Sequence, residues 1–324
     1  MTGRRQGRAI STVVDVTFAL LLVSASIAIL AVELTDDEPA HDPIQADRTA
    51  ETLAAATRTV EYTLDPVRGE SHFSDDGYDY ERSTHGTLTG LLADAAVTNA
   101  QFPDGSDSDP YDPDGLAHLT RAGEDFATAV DGAVREALTS AGGDAHVVAV
   151  WTPYDDSAIR GRMEAGADLP PGGDTSTATL TVPSKMPAPD EADVERAFRV
   201  DGYSGVSELI AGAIVEGYFP TGETQLALER DGLGRALAVY RYQRMAEVVD
   251  HPEFETDPAF GAVGSHPVSR TQADAATANA ELQADLATMI EVELSNEYPS
   301  ADAERIASAV SVGEVTVTVT TWNE

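Results

Sequence analysis

The stretch 10–34, ISTVVDVTFALLLVSASIAILAVEL, limits what this chain can be more than any other feature. From Val16 to Val32 it carries no charged side chain. With Ile10 to Val14 added, it is about long enough to cross the ~30 Å hydrocarbon core of a bilayer as a helix. A helix satisfies its own backbone hydrogen bonds, which lipid cannot do. Arg4, Arg5 and Arg8 precede the stretch, and Asp36, Asp37 and Glu38 follow it. The positive-inside rule then places the N-terminus in the cytoplasm and everything after residue 35 outside. A buried helix of a soluble domain fits neither the length of the run nor the charge asymmetry of its flanks. A cleaved secretory signal would have a shorter apolar core and an A-x-A site, which is missing here. The expectation is a single-pass protein of the cell membrane, with the lipid bilayer as its first partner.

Within that stretch, Arg8-Ala9-Ile10-Ser11-Thr12-Val13-Val14 resembles the processing region of archaeal type IV pilins. In that family a basic and a small residue precede the cut, and a Ser-Pro-Val-Ile-Gly-like start opens a long apolar helix. Thr12 stands here where the family has Pro, and Asp15 where it has Gly. The resemblance implies leader processing at Arg8, Ala9 and Ile10. It also implies a pairing role for Asp15, because in bacterial type IV pilins an acid near the mature N-terminus neutralises a neighbouring subunit's amine. A carboxylate in a membrane helix costs about 2.5–3.5 kcal/mol at mid-bilayer and usually has a partner. The other reading of Asp15 is that it reaches back to the cytoplasmic headgroups. The implied partners are other pilin-like subunits and an assembly platform. The chain as a whole resembles uncharacterised membrane-anchored surface proteins of halophilic archaea.

Charge supports that setting. Among 324 residues, 56 are Asp or Glu and 20 are Lys or Arg, a formal net charge of −36. The acids recur in nearly every block of ten after residue 35 and do not form one patch, as in a surface adapted to molar salt, where self-repulsion is screened within a few ångströms. Lys185 is the only lysine. Such a chain repels nucleic acid backbones and has no basic stripe to offset this, so nucleic acid is excluded as a partner. Cysteine is absent, which removes disulfides and thiolate metal sites.

The chain divides into a basic cytoplasmic N-terminus or pilin-like leader (1–9), a transmembrane helix (10–34), a polar linker with Pro39 and Pro43 (35–46) and an acidic extracellular domain (47–324). In that domain Asp47 is expected to cap a helix to about Thr57, followed by a short strand through Val60, Tyr62 and Leu64. Residues 67–83 read as loop, and Leu88, Leu91, Leu92, Ala95 and Ala96 as the stripe of a helix from about Thr84 to Asn99. Asp114 is expected to cap a helix with Leu116, Leu119, Phe126, Val130, Val134 and Leu138 on one face. His146–Trp151 is apolar on both faces, as in a central strand. Thr177–Val182 and Glu314–Trp322 alternate, as half-buried strands do. Helices are expected after Pro189, from Ser204 to Pro220, over 226–248, from Ala275 to Pro299 and after Ser300. Widely spaced strands among helices predict an α+β fold: an N-terminal transmembrane helix, then a mainly helical extracellular domain with one small antiparallel sheet of three or four strands.

Motifs for chemistry are missing. The acidic loop Asp104–Asp114 fails the EF-hand pattern, since Asp112 stands where Gly is needed and His118 where Glu is needed. Asp75-Asp76-Gly77-Tyr78-Asp79 is a weaker case of the same kind. The seven histidines form no His-x-x-x-His or HExxH pair. His85 has no nucleophile elbow to serve, because Gly202-Tyr203-Ser204-Gly205-Val206 lacks the second glycine of that motif in place. Gly232-x-Gly234 has no third glycine for a dinucleotide loop. The expectation is therefore no catalytic residue, no metal site and no cofactor. The leading function is a non-enzymatic membrane-anchored surface protein, a minor pilin-like subunit or accessory of a type IV pilus-like or secretion assembly. The alternatives are a stand-alone single-pass surface protein binding an external ligand and an anchored extracellular hydrolase.

Overall fold

The computed structural model describes residues 44–68, 77–103, 116–118, 123–141, 144–172, 174–251 and 273–322. Helix α1 (Gln45–Ala55) buries Ala46, Ala50 and Leu53, a spacing of four and three that puts them on one face. Strand β1 (Thr57–Thr63) pairs antiparallel with β2 (Glu81–Thr87), and β2 passes without a loop into helix α2 (Leu88–Thr98). Thr87 makes that junction possible: it closes the strand, and its hydroxyl accepts the Gly90 N–H at 3.1 Å as the helix N-cap. Helix α2 buries Leu88, Leu91, Leu92, Ala93, Ala95 and Ala96 and is apolar almost all round, as a central helix must be. A short pair, β3 (Gln101–Pro103) with β4 (Leu116–His118), leads to the amphipathic helix α3 (Gly123–Ala141).

Next come strands β5 (Ala145–Trp151), β6 (Gly161–Gly166) and β7 (Thr175–Pro183). The chain then builds α4 (Glu191–Asp201), α5 (Tyr203–Tyr218), α6 (Thr221–Glu229), α7 (Leu233–Val248), α8 (Ala275–Glu297) and α9 (Ala303–Ala309), and returns as β8 (Glu314–Trp322). Strand β8 enters between β5 and β7, giving an antiparallel sheet of order β6-β5-β8-β7. Val315, Val317 and Val319 of β8 and Val147, Ala149 and Trp151 of β5 are buried, and the two strands pack against α1 and α2. The Trp151 indole N–H donates to the Val312 carbonyl at 2.8 Å, which satisfies its polar atom inside the core. Helix α5 packs along α8, with α4 and α9 beside them.

Residues 184–313 are a helical excursion from the sheet. Its ends meet where Pro183 faces Glu314 and the Ser184 N–H donates to the Gly313 carbonyl at 2.9 Å. A buried hydrogen bond from the Ser184 hydroxyl to the Val312 carbonyl reinforces the junction.

The predicted fold class is corrected in its sheet and in its membrane helix. In place of one small sheet of three or four strands, the described residues form three antiparallel sheets of two, two and four strands. Strand β2 takes in the end of the predicted 67–83 loop and the expected first helical turn from Thr84, and β6 lies where no strand is predicted, because ERSTHGT and GRMEAG show too few apolar residues to give a period of two. Among the described residues no helix is long and apolar enough to cross a membrane. The stretch 10–34, the leader 1–9 and most of the 35–46 linker lie outside those residues. Helix α1 begins at Gln45, so Asp47 sits in its first turn and is not its cap. The stripe predicted over 226–248 is two helices, broken where Gly232 takes φ 101°.

Candidate ligand-binding cleft

The excursion and the sheet-bearing half meet imperfectly. Most buried side chains form one large core, and a smaller cluster of Leu64, Val67, Tyr80, Leu233, Ala236 and Tyr240 stands apart from it. Helix α7 contributes to both, Leu233, Ala236 and Tyr240 to the small cluster and Val239, Tyr242 and Met245 to the large one. At the seam between them lies a cleft of about 470 Å³. One wall belongs to the β1–β2 hairpin and α2, the other to the excursion.

The hairpin register builds the first wall. Tyr62 stands directly opposite Arg82, and Val60 opposite Thr84, so Tyr62, Arg82 and Thr84 share one face of the ribbon. The Tyr62 ring packs tilted on Phe126 of α3, with centroids 5.0 Å apart. Burial raises the proton affinity of the Tyr62 phenol, with the nearby Asp94 acting in the same direction and Arg82 opposing it. Arg82 donates to the Asp79 and Glu81 carbonyls at 2.9 and 2.6 Å and pairs with no carboxylate among the described residues. Helix α2 adds Asp94, Val97 and Thr98.

Lys185, the only lysine, completes the rim. It sits at φ 65° in the tight turn that opens the excursion, and its ammonium lies 2.5 Å from the Asp94 carboxylate. A left-handed backbone at a non-glycine residue costs about 1–2 kcal/mol, which the turn tolerates because Ser184 and Met186 on either side are buried and hydrogen-bonded through the Ser184 hydroxyl. Gly217 of α5 also faces the cleft, and a Cβ there would stand 2.7 Å from Met186 Cγ.

Arg241 of α7 forms the back of the site. One of its N–H groups donates to the Tyr218 carbonyl at the end of α5, at 2.8 Å, and its guanidinium lies over the Phe219 ring. Burial lowers its proton affinity, and the Tyr218 and Tyr242 phenols partly restore it; a guanidinium stays charged regardless. It too has no carboxylate partner among the described residues. A buried network holds this corner in place: Tyr242 stacks on Phe219 at 4.2 Å, the Tyr242 hydroxyl donates to Asn279 Oδ1 at 2.5 Å, and Asn279 Nδ2 donates to the Phe219 carbonyl at 2.8 Å.

Three cations and one carboxylate therefore line this cleft, in a chain where acids outnumber bases 56 to 20. Lys185 answers Asp94, which leaves the charges of Arg82 and Arg241 for a ligand. The arrangement offers donors and an apolar surface. Tyr62, Tyr218, Asp94 and Lys185 are its other titratable groups, and Asp94 is already held in an ion pair.

The residues singled out from the sequence lie elsewhere. Arg8, Ala9, Ile10 and Asp15 are outside the described residues, as is the acidic loop Asp104–Asp114. His85 is exposed on β2, on the face opposite Arg82 and Thr84, and its Nδ1 is 3.0 Å from the Thr59 hydroxyl. Among the described residues no group of three or more His, Asp or Glu side chains could hold a metal ion. Sequence reasoning missed every residue of the cleft. The one available signal was Lys185, a lone lysine in a chain that otherwise uses arginine.

Residues 14–322 match the model of DUF7284, described as a family of unknown function. The chain belongs to that family. No curated protein and no solved structure matches it. For DUF7284 the cleft is thus a feature to be interpreted from its own chemistry.

Proposed function

We propose that this DUF7284 protein is a non-enzymatic surface protein of the cell membrane whose outward domain binds a small external anion in the seam cleft. The observation that carries this reading is the reversal of charge: a strongly acidic chain places Arg82 and Arg241, neither paired with a carboxylate among the described residues, in the same partly apolar cleft. Sites of this kind, concave, largely apolar and with a few convergent polar groups, are where proteins hold small ligands. The acidic surface around the site repels competing polyanions and narrows the choice to ligands small enough to enter. A role as a minor pilin-like subunit or assembly accessory rests on Arg8, Ala9, Ile10 and Asp15, and the cleft adds nothing to it.

The test is a thermal-shift survey of organic and inorganic anions at constant ionic strength, on the full chain and on an Arg82→Gln/Arg241→Met variant. A ligand at about a hundred times its Kd stabilises the native state by about 2.7 kcal/mol, enough to raise the melting temperature by several degrees. The expected result is a rise for at least one anion that the double variant loses. Shifts that are equal in both proteins, or that never occur, would remove the anion-binding reading.

A further inference from the structure

We propose that the ligand is an amphipathic monocarboxylate, an organic acid with a short alkyl or aryl body, and not an inorganic or polyvalent anion. This rests on the anion-binding reading above and goes further by assigning the cleft's remaining donors and its apolar walls.

The hydroxyls of the cleft divide into committed and free. Thr98 donates to the Asp94 carbonyl at 2.7 Å, Ser184 to the Val312 carbonyl at 2.8 Å and Tyr218 to the Val97 carbonyl at 2.8 Å. The Tyr62 and Thr84 hydroxyls have no hydrogen-bond partner among the described residues. Two guanidinium groups and two hydroxyls suit the roughly four lone-pair positions of one carboxylate. A phosphate presents more acceptor oxygens and more charge, and the hydroxyls that could meet them are already taken.

Local dipoles point the same way. Helices α2 and α5 both end at the cleft, with Val97, Thr98 and Tyr218 in their last turns. Helix C-termini carry partial negative charge and disfavour anions, whereas phosphate sites are typically built on helix N-termini. Arg241 answers the carbonyl end of α5, and Lys185 answers Asp94. What remains is enough positive field for one negative charge and too little for two or three.

The apolar part then needs an occupant. Leu64, Val97, Phe126, Met186 and Leu237 line the rest of the cleft, and a carboxylate alone would leave most of the 470 Å³ unfilled. Burial of apolar ligand surface contributes about 25 cal/mol per Å². That term is less weakened by screening than a pure charge contact, so it keeps the site selective where chloride is abundant.

Isothermal titration of the full chain in molar NaCl decides this, with sodium octanoate, sodium phenylacetate, sodium phosphate and octan-1-ol as probes. At least one carboxylate binds, and phosphate and octanol bind about tenfold or more weakly than it does. Arg82→Gln, at a half-buried position of the hairpin, weakens the carboxylate about tenfold or more, and Leu237→Ser weakens octanoate as well. Circular dichroism confirms that each variant is folded. Phosphate binding as tightly as the carboxylates, with Arg82 dependence, would overturn the monocarboxylate and leave the anion site standing. Equal binding of octanol would overturn it as well, by showing that the carboxylate is not read. Absence of any Arg82-dependent binding would overturn both readings.

Discussion

Glu293 shows how a single side chain can tie two parts of this fold together. It projects from α8 to the loop after β5, where its carboxylate accepts the Ala158 N–H. Burial raises its proton affinity, and the Ala158 N–H and the nearby Tyr154 and Ser157 hydroxyls only partly offset that, with Glu297 adding to the rise. The folded state therefore keeps a proton that the unfolded chain has released. The Glu293 contribution to stability is complete below the ordinary carboxylate value and is lost as pH rises through the higher folded value. Glu293→Gln keeps an oxygen for the Ala158 N–H and removes the titration. In denaturant melts the gain of the variant over wild type is expected to grow as pH rises through the carboxylate range and then level off; a gain independent of pH would contradict the assignment. Gly161 is a second single-residue constraint. A Cβ there would stand 2.1 Å from the Ala96 carbonyl oxygen, which belongs to the backbone of α2 and cannot rotate away. Gly161→Ala is expected to destabilise the domain by about 3 kcal/mol, the upper end for overpacking. It should weaken ligand binding too, because α2 carries Asp94, Val97 and Thr98 of the cleft.

Among the elements, the junction of β2 and α2 is the most exposed to a small change. Thr87→Ala removes the only side-chain cap of α2 and is expected to cost about 1 kcal/mol. Hydrogen exchange would find the loss of protection centred on the first turn of that helix, and uniform loss across the domain would show that the cap acts globally. The same junction explains what could be read in advance. Helix α2 was legible from its stripe, but its start was placed near Thr84, since nothing in STHGTL separates a strand residue from a first helical turn. Strands β5, β7 and β8 were legible because Val, Ala and Thr alternate or cluster in them. Strands β2 and β6 gave no signal, since pairing with a neighbour's backbone needs no apolar side chain. The cleft was illegible for a related reason. Tyr62 and Arg82 become neighbours through hairpin register, and Asp94 and Lys185 through the closing of a long excursion, and neither follows from spacing along the chain.

At the scale of the whole molecule, charge and topology act together. A formal charge of −36 is tolerable in a folded domain only when its repulsion is screened. Melts of the full chain are expected to rise in temperature from roughly 0.1 M to molar salt, as the Debye length shrinks from about 10 to 3 Å, and a melt insensitive to salt would remove that argument. The excursion over 184–313 has a different consequence. It leaves β7 and returns to β8 at two residues that already face each other across the sheet, so any number of residues can be added or removed between them without shifting one rung of the ladder. The sheet-bearing half and the helical half are thus free to change at different rates in evolution. A ligand held at their seam is answerable to both. Relatives that keep the sheet but shorten the helices would lose Arg241 and the ligand together, and the strand pairing would record no trace of the loss.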